Sequence, residues 1–340
     1  MQRILPSIAP SAKERSEIYK LCVANIDDAP TWISEWFMLA SDITRHPTFE
    51  QIGRDNVSEW LSWAFFGLPL EEVLQEESLS EELNSMIDHF QDEFHIDFAP
   101  GYNEDVVAYR INLDPVHAYH RPLAFYTLIM FLTTLFGFIC QWIWGFRKFG
   151  PETRSMLWNN MDTPTLSDQK VSYWFRDGNR KKKPVVFIHG IGAGLMCYIS
   201  FLIKLITLDA PLFFIELPYV SMHCIEEVPT MQETIKDLQE MLMKHEFSNA
   251  VFVAHSLGTA VTSWVVKHMP QQVAVKMPKN VKVYLSELDN IVNSKRVDLY
   301  LNHHGLDAVV MKGLDHASLL FYPNWQNDIL ATIQRFINDE

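Results

Sequence analysis

The chain has 340 residues and 48% hydrophobic content, with 10 Trp and 22 Phe, enough for a sizeable core in one large or two ordinary domains. Its formal charge of −14 argues against a nucleic-acid partner. The four cysteines, Cys22, Cys140, Cys197 and Cys224, have neither disulfide-framework nor zinc-site spacing, so no metal is expected, and they read as buried thiols of a reducing compartment.

The opening stretch MQRILPSIAPSAKERSE holds no sustained apolar core, so no secretory signal is expected there; its first 15 residues or so read as loosely attached. From Ser16 to Phe98 the pattern predicts helices. Trp32, Trp36 and Leu39 fall at helical spacing, as do Val57, Trp60, Leu61 and Ala64, with Gly67 and Pro69 as a stop. Between Glu71 and Phe94, acidic residues interleave with Val73, Leu74, Leu79, Leu83, Met86, Ile87 and Phe90, the signature of amphipathic helices with acidic solvated faces. The segment Arg54 to Trp60 mixes charge and aromatics, and either pairs internally or lines a pocket. His46, His89 and His95 lack metal-ligand spacing.

Pro122 to Phe146 contains no charged residue. About 20 apolar residues span a bilayer core, and here Arg121 precedes the run while Trp142, Trp144, Arg147 and Lys148 cluster at its far end. A spanning helix is expected, against the alternatives of a helix in the membrane surface or one buried between soluble layers. Arg147, Lys148 and Arg154 outnumber Arg110 and Arg121, which predicts that the part after the helix faces the cytoplasm.

The C-terminal half alternates strands with helices. Strands are predicted at 168–177, 184–188, 211–217, 250–253, 281–285 and 308–311, with a basic hairpin loop, Arg180 to Lys183, between the first two, helices between the others and a last helix over 318–337. Such alternation argues for a mostly parallel sheet covered on both faces. The second of these strands runs into His189-Gly190-Ile191-Gly192-Ala193-Gly194, a glycine loop that lacks the Lys-Ser/Thr and the acidic partner of the nucleotide motifs. The fourth runs into Ala254-His255-Ser256-Leu257-Gly258 and then a helix. That is the context of a nucleophile elbow, in which a sharp turn between small residues holds a serine proud of the sheet edge, facing the free N–H groups of a helix start.

With Asp289 after the next strand and His316 after the last, the order Ser, Asp, His and the His189-Gly190 loop resemble the α/β-hydrolase superfamily over residues 165–340. The Trp-rich helices and apolar run before it resemble N-terminal extensions of some fungal membrane-associated members. A helical region at 1–115 and a membrane-associated helix at 116–150 are expected from the patterns above, and the resemblance implies an α/β-hydrolase domain at 151–340. It makes Ser256 the nucleophile, His316 the base and Asp289 its orienting acid, in competition with Glu287 and Asp298. The backbone N–H groups of Leu257 and Ile191 would form the oxyanion hole, and His189, Gly190 and Gly192 the loop beside the substrate. His255 is expected to pack rather than catalyse. The implied activity is hydrolysis of a small-molecule or lipid ester with an apolar acyl group, at a membrane and without a cofactor.

In one respect the sequence departs from the family pattern. Only Pro270 to Asn280 separates the elbow helix from the acid-bearing strand, so either the acid follows the very next strand or a strand and its lid are missing, which would leave a gap or edge in the sheet. A second reading follows from that gap: a non-catalytic, membrane-tethered interaction protein that keeps the hydrolase shape.

Overall fold

The computed structural model describes residues 10–24, 26–110, 121–151, 169–223, 228–269 and 281–338. Arg154, Cys224, the interval 270–280 and most of the opening tail lie outside the described residues. The chain divides into two compact units, 1–120 and 121–340.

In the first unit, helices α1 (Ala12–Val23), α2 (Ala29–Ser34), α3 (Arg54–Leu61), α4 (Leu70–Gln75) and α5 (Glu77–Phe94) enclose an aromatic core. Helix α5 turns Leu83, Met86, Ile87 and Phe90 inward and leaves its carboxylates outside, as its periodicity predicts, except Glu82, which is half-buried against Arg15. The predicted helix through Trp36 and Leu39 does not form. Helix α2 stops at Ser34, and β1 (Phe37–Leu39) pairs antiparallel with β2 (Val106–Ala108), a partner too distant in sequence to show in local periodicity. The charges of the Arg54–Trp60 segment pair internally: Arg54 with Asp88 at 2.8 Å, and Glu59 with Arg110 at 2.6 Å.

The second unit opens with α6 (Leu123–Phe138), extended through a π turn to Ile143. A five-stranded mixed sheet follows in the order β3-β4-β6-β5-β7: β3 (Arg147–Phe149), β4 (Ser172–Arg176), β5 (Val185–Ile188), β6 (Leu212–Glu216) and β7 (Val251–Ala254). Strands β5, β6 and β7 are parallel, whereas β3 and β4 add on antiparallel at one edge. Continuous apolar runs make the central strands: Val185 to Ile188 and Leu212 to Ile215 are all at most 1% exposed. Helices α7 (Ile199–Ile206) and α8 (Met231–Lys244) connect them and α9 (Gly258–His268) follows β7, giving one apolar core on each face of the sheet.

Strand β3 was not foreseen. Its Lys148 crosses β4 to reach Glu216 at the end of β6 at 2.8 Å, and the Trp174 indole of β4 donates to the same carboxylate at 2.7 Å. Strands β8 (Val283–Ser286) and β9 (Ala308–Met311) pair parallel with each other as a separate two-stranded ladder, joined by α10 (Ser294–His303). Among the described residues no strand bridges β7 and β8. Helix α11 (Pro323–Asn338) ties the two ladders together: Ile329, Ile333 and Ile337 share a core with Val251, while Tyr284 of β8 bonds Asp328 and Thr332 through its hydroxyl.

Candidate active site

Strand β7 ends at Ala254, α9 begins at Gly258, and the chain reverses through His255, Ser256 and Leu257 between them. Ser256 has φ +54°, a left-handed conformation that costs a non-glycine residue energy and persists only where the surroundings impose it. Two close approaches impose it here. A Cβ on Gly258 would stand 2.4 Å from the Ile188 carbonyl oxygen, so the helix start fits against β5 only as glycine. A Cβ on Gly190 would stand 2.5 Å from the Ser256 Cβ, so the glycine loop crosses directly over the serine.

The other two groups arrive from the β8–β9 ladder. His316 follows β9 and places Nε2 2.8 Å from Ser256 Oγ. Its Nδ1 lies 2.7 Å from Asp289 Oδ2, just after β8. The other oxygen of Asp289 accepts from the N–H groups of Ile291 and Val292, both at 2.9 Å, which fixes the carboxylate facing the imidazole. Burial pushes the Asp289 carboxyl up, but the Val292 N–H, the His316 ring and the Ile291 N–H outweigh it and hold the carboxyl below the usual range. Of the competing acids, Glu287 holds Lys312 and the Gly313 N–H, and Asp298 lies within α10; Asp315, next to His316, caps the turn at Ala317 and Ser318.

A serine on a left-handed turn after the edge strand β7, met by a histidine and a carboxylate from the ends of later strands, decides the architecture. The second unit has the α/β-hydrolase fold. The order β3-β4-β6-β5-β7, antiparallel at its first edge and parallel thereafter, belongs to that fold, and the serine stands at the carboxyl end of its parallel strands.

The loop of this hydrolase fold places its residues in two ways. Ile191 is exposed and follows Gly190, which lies against Ser256, while Leu257 directly follows Ser256 at the start of α9. Gly192 donates its N–H to Val220 at 3.1 Å and anchors the loop. His189 is turned into the interior, 1% exposed, with Nδ1 on the Gly190 carbonyl at 2.7 Å and Nε2 accepting from the Leu217 N–H at 2.9 Å. Its side chain therefore supports the loop from beneath. Burial pushes its imidazole below the ordinary histidine range. Tyr198, which no motif singles out, and His255, expected only to pack, hydrogen-bond to each other next to the serine at 2.8 Å. Among the described residues no cluster of His, Cys, Asp or Glu is placed to hold a metal.

Comparison with protein-family models and with curated proteins gives no match. Solved structures similar in fold include a carboxylesterase from Bacillus subtilis, 9% identical, with a TM-score of 0.46 over 62% of this chain and 98% of that one. Naproxen esterase from the same organism is 11% identical, with a TM-score of 0.45 over 62% and 99%. A predicted CIB-like hydrolase from Thermoplasma acidophilum is 10% identical, with a TM-score of 0.41 over 48% and 93%. These are likenesses of fold alone; the strand order and the turn at Ser256 carry the assignment.

Proposed function

We propose that the protein is a serine hydrolase of ester bonds, with Ser256, His316 and Asp289 as its triad. The observation that carries this reading is the 2.8 Å approach of His316 Nε2 to Ser256 Oγ on a left-handed turn. Ser256 Oγ attacks the ester carbonyl while His316 takes its proton, and Asp289 stabilises the resulting imidazolium. The Ile191 and Leu257 N–H groups receive the oxyanion. The alcohol leaves with the proton from His316, and water releases the acid from the acyl-enzyme by the same steps. Pre-steady-state hydrolysis of p-nitrophenyl esters of graded chain length tests this. A burst of p-nitrophenol equal to the enzyme, absent in Ser256→Ala, is expected; folded protein without Ser256-dependent turnover would instead favour the non-catalytic reading, to which the break between β7 and β8 gives its support.

The apolar substrate and the membrane belong to the same proposal. The segment Leu123–Ile143 is long and apolar enough to cross a bilayer. Its packing supports tight association over a full span: Phe136 and Cys140 are buried in the core of the second unit, and Gly137 lies against the Trp174 ring. The part before Phe136, with Leu123, Leu128, Met130 and Phe131 exposed, is about 20 Å long at 1.5 Å per residue, short of a bilayer's hydrocarbon thickness of about 30 Å. Of the cations behind the expected cytoplasmic orientation, Lys148 is paired with Glu216 and Arg110 with Glu59. That leaves Arg121 and Arg147, one on each flank, so the described cations give no bias. Flotation with phosphatidylcholine vesicles is expected for the intact chain and should be lost in Met130→Asp/Phe131→Asp.

A further inference from the structure

His255 stands between the elbow strand and the serine, where a side chain needs only to pack. Its ring is instead the middle of a three-bond chain. The Gly190 N–H donates to Tyr198 Oη at 3.0 Å, Tyr198 Oη lies 2.8 Å from His255 Nδ1, and His255 Nε2 lies 3.2 Å from the main-chain carbonyl of His316. Donor counting allows one arrangement. The His316 carbonyl only accepts, so His255 carries its proton on Nε2. Nδ1 is then an acceptor and takes the single Tyr198 proton, while the phenol oxygen accepts from Gly190. Each group is used once, and no donor is left over.

The ends of this chain are the two parts of the site that come from different ladders. Gly190 belongs to the loop that presents the Ile191 N–H, and His316 is the candidate base. We propose that Tyr198 and His255 are positioning residues that tie the oxyanion loop to the His316 loop across the break between β7 and β8, so that the Ile191 N–H and the His316 imidazole keep a fixed relation to Ser256. The role in turnover rests on the hydrolase reading above; the tie itself does not. Burial supports the arrangement by pushing the His255 imidazole below the ordinary histidine range, with the His316 carbonyl opposing and the His316 ring adding to that shift.

The test uses the full chain and three variants: Tyr198→Phe, His255→Phe, which keeps ring bulk, and His255→Gln, whose amide offers an acceptor and a donor. Misplacement of catalytic groups by about 1 Å costs on the order of 100-fold, so Tyr198→Phe and His255→Phe should lower kcat about 10- to 100-fold with KM held within about twofold. The double variant should lose no more than the worse single one, and His255→Gln should regain part of the loss. Independently of turnover, nitrogen-15 spectra at neutral pH should show His255 protonated on Nε2, and the Gly190 amide should lose exchange protection in Tyr198→Phe. A His255→Phe variant with full kcat, or His255 protonated on Nδ1, overturns the tie. Wild-type protein that shows the expected tautomer and Gly190 protection but hydrolyses no ester would sink the hydrolase reading and leave the tie standing.

Discussion

Strands β5, β6 and β7 carry Ser256 and the Ile191 loop, whereas β8 and β9 carry Asp289 and His316, and the two groups of strands are held differently. The first group lies inside a five-stranded sheet with both faces covered, and its central side chains are essentially without exposure. The second is a two-stranded ladder in which only Leu285, Ser286 and Met311 are buried. The proposed nucleophile thus sits on the rigid half, and the proposed acid and base on a half that packs through α11 and through the site itself. A triad assembled across such a break depends on its own hydrogen bonds for alignment more than one built along a continuous sheet.

The largest effect should come from cutting the bond that crosses the break. Ser256→Ala and His316→Ala are each expected to lower kcat by about 10⁴- to 10⁶-fold, and the double variant should lose little more, because groups that act as a unit give non-additive losses. Steady-state kinetics would check this, and additive losses would separate the two residues. Next comes the rigid half's own contribution. Gly190→Ala forces a Cβ to within 2.5 Å of the Ser256 Cβ, so the loop must move and take the Ile191 N–H with it. A loss of about 10²- to 10³-fold in kcat is expected, the scale of removing one oxyanion donor.

The halves should also open separately. Amides of β8 and β9 should exchange hydrogen faster than those of β5 and β6, since the smaller ladder has fewer buried contacts to break. Tyr284→Phe removes bonds to Asp328 and Thr332 and should widen that difference. Equal protection in both ladders would show that the break has no energetic meaning.

The smallest effect concerns pH and belongs to the rigid half alone. The His245 ring is packed among Phe149, Tyr173, Phe175 and Phe213. Burial, then Lys244 and Arg180 nearby, push its imidazole from 6.5 down to about 4. The unfolded chain therefore takes up this proton first as pH falls. The stability contribution is complete above pH 6.5 and declines as pH drops toward 4. Urea unfolding midpoints should fall across that window in the wild type and less steeply in His245→Phe.

Much of this was legible in residues. Continuous apolar runs marked β5, β6, β7 and β9 within a residue or two, and the glycine loop and small-x-Ser-x-Gly turn marked where the chain must pass close to itself. Strand β3 was hidden because Arg147 and Lys148, read after an apolar run, look like the flank of a membrane span; only the folded sheet reveals Glu216 as the partner of Lys148. Strands β1 and β2 are three residues each, shorter than any period can register. Tyr198 carries no local signal and His255 reads as packing, because their bond joins residues 57 apart in sequence.

Reaction of the intact chain with a fluorophosphonate, located by peptide mass spectrometry, tests the central claim most directly. One adduct on Ser256 is expected, absent in Ser256→Ala and strongly slowed in His316→Ala and in Asp289→Asn, with all variants folded by circular dichroism. Folded wild-type protein that stays unlabelled, or that is labelled at a serine other than Ser256, would contradict the account.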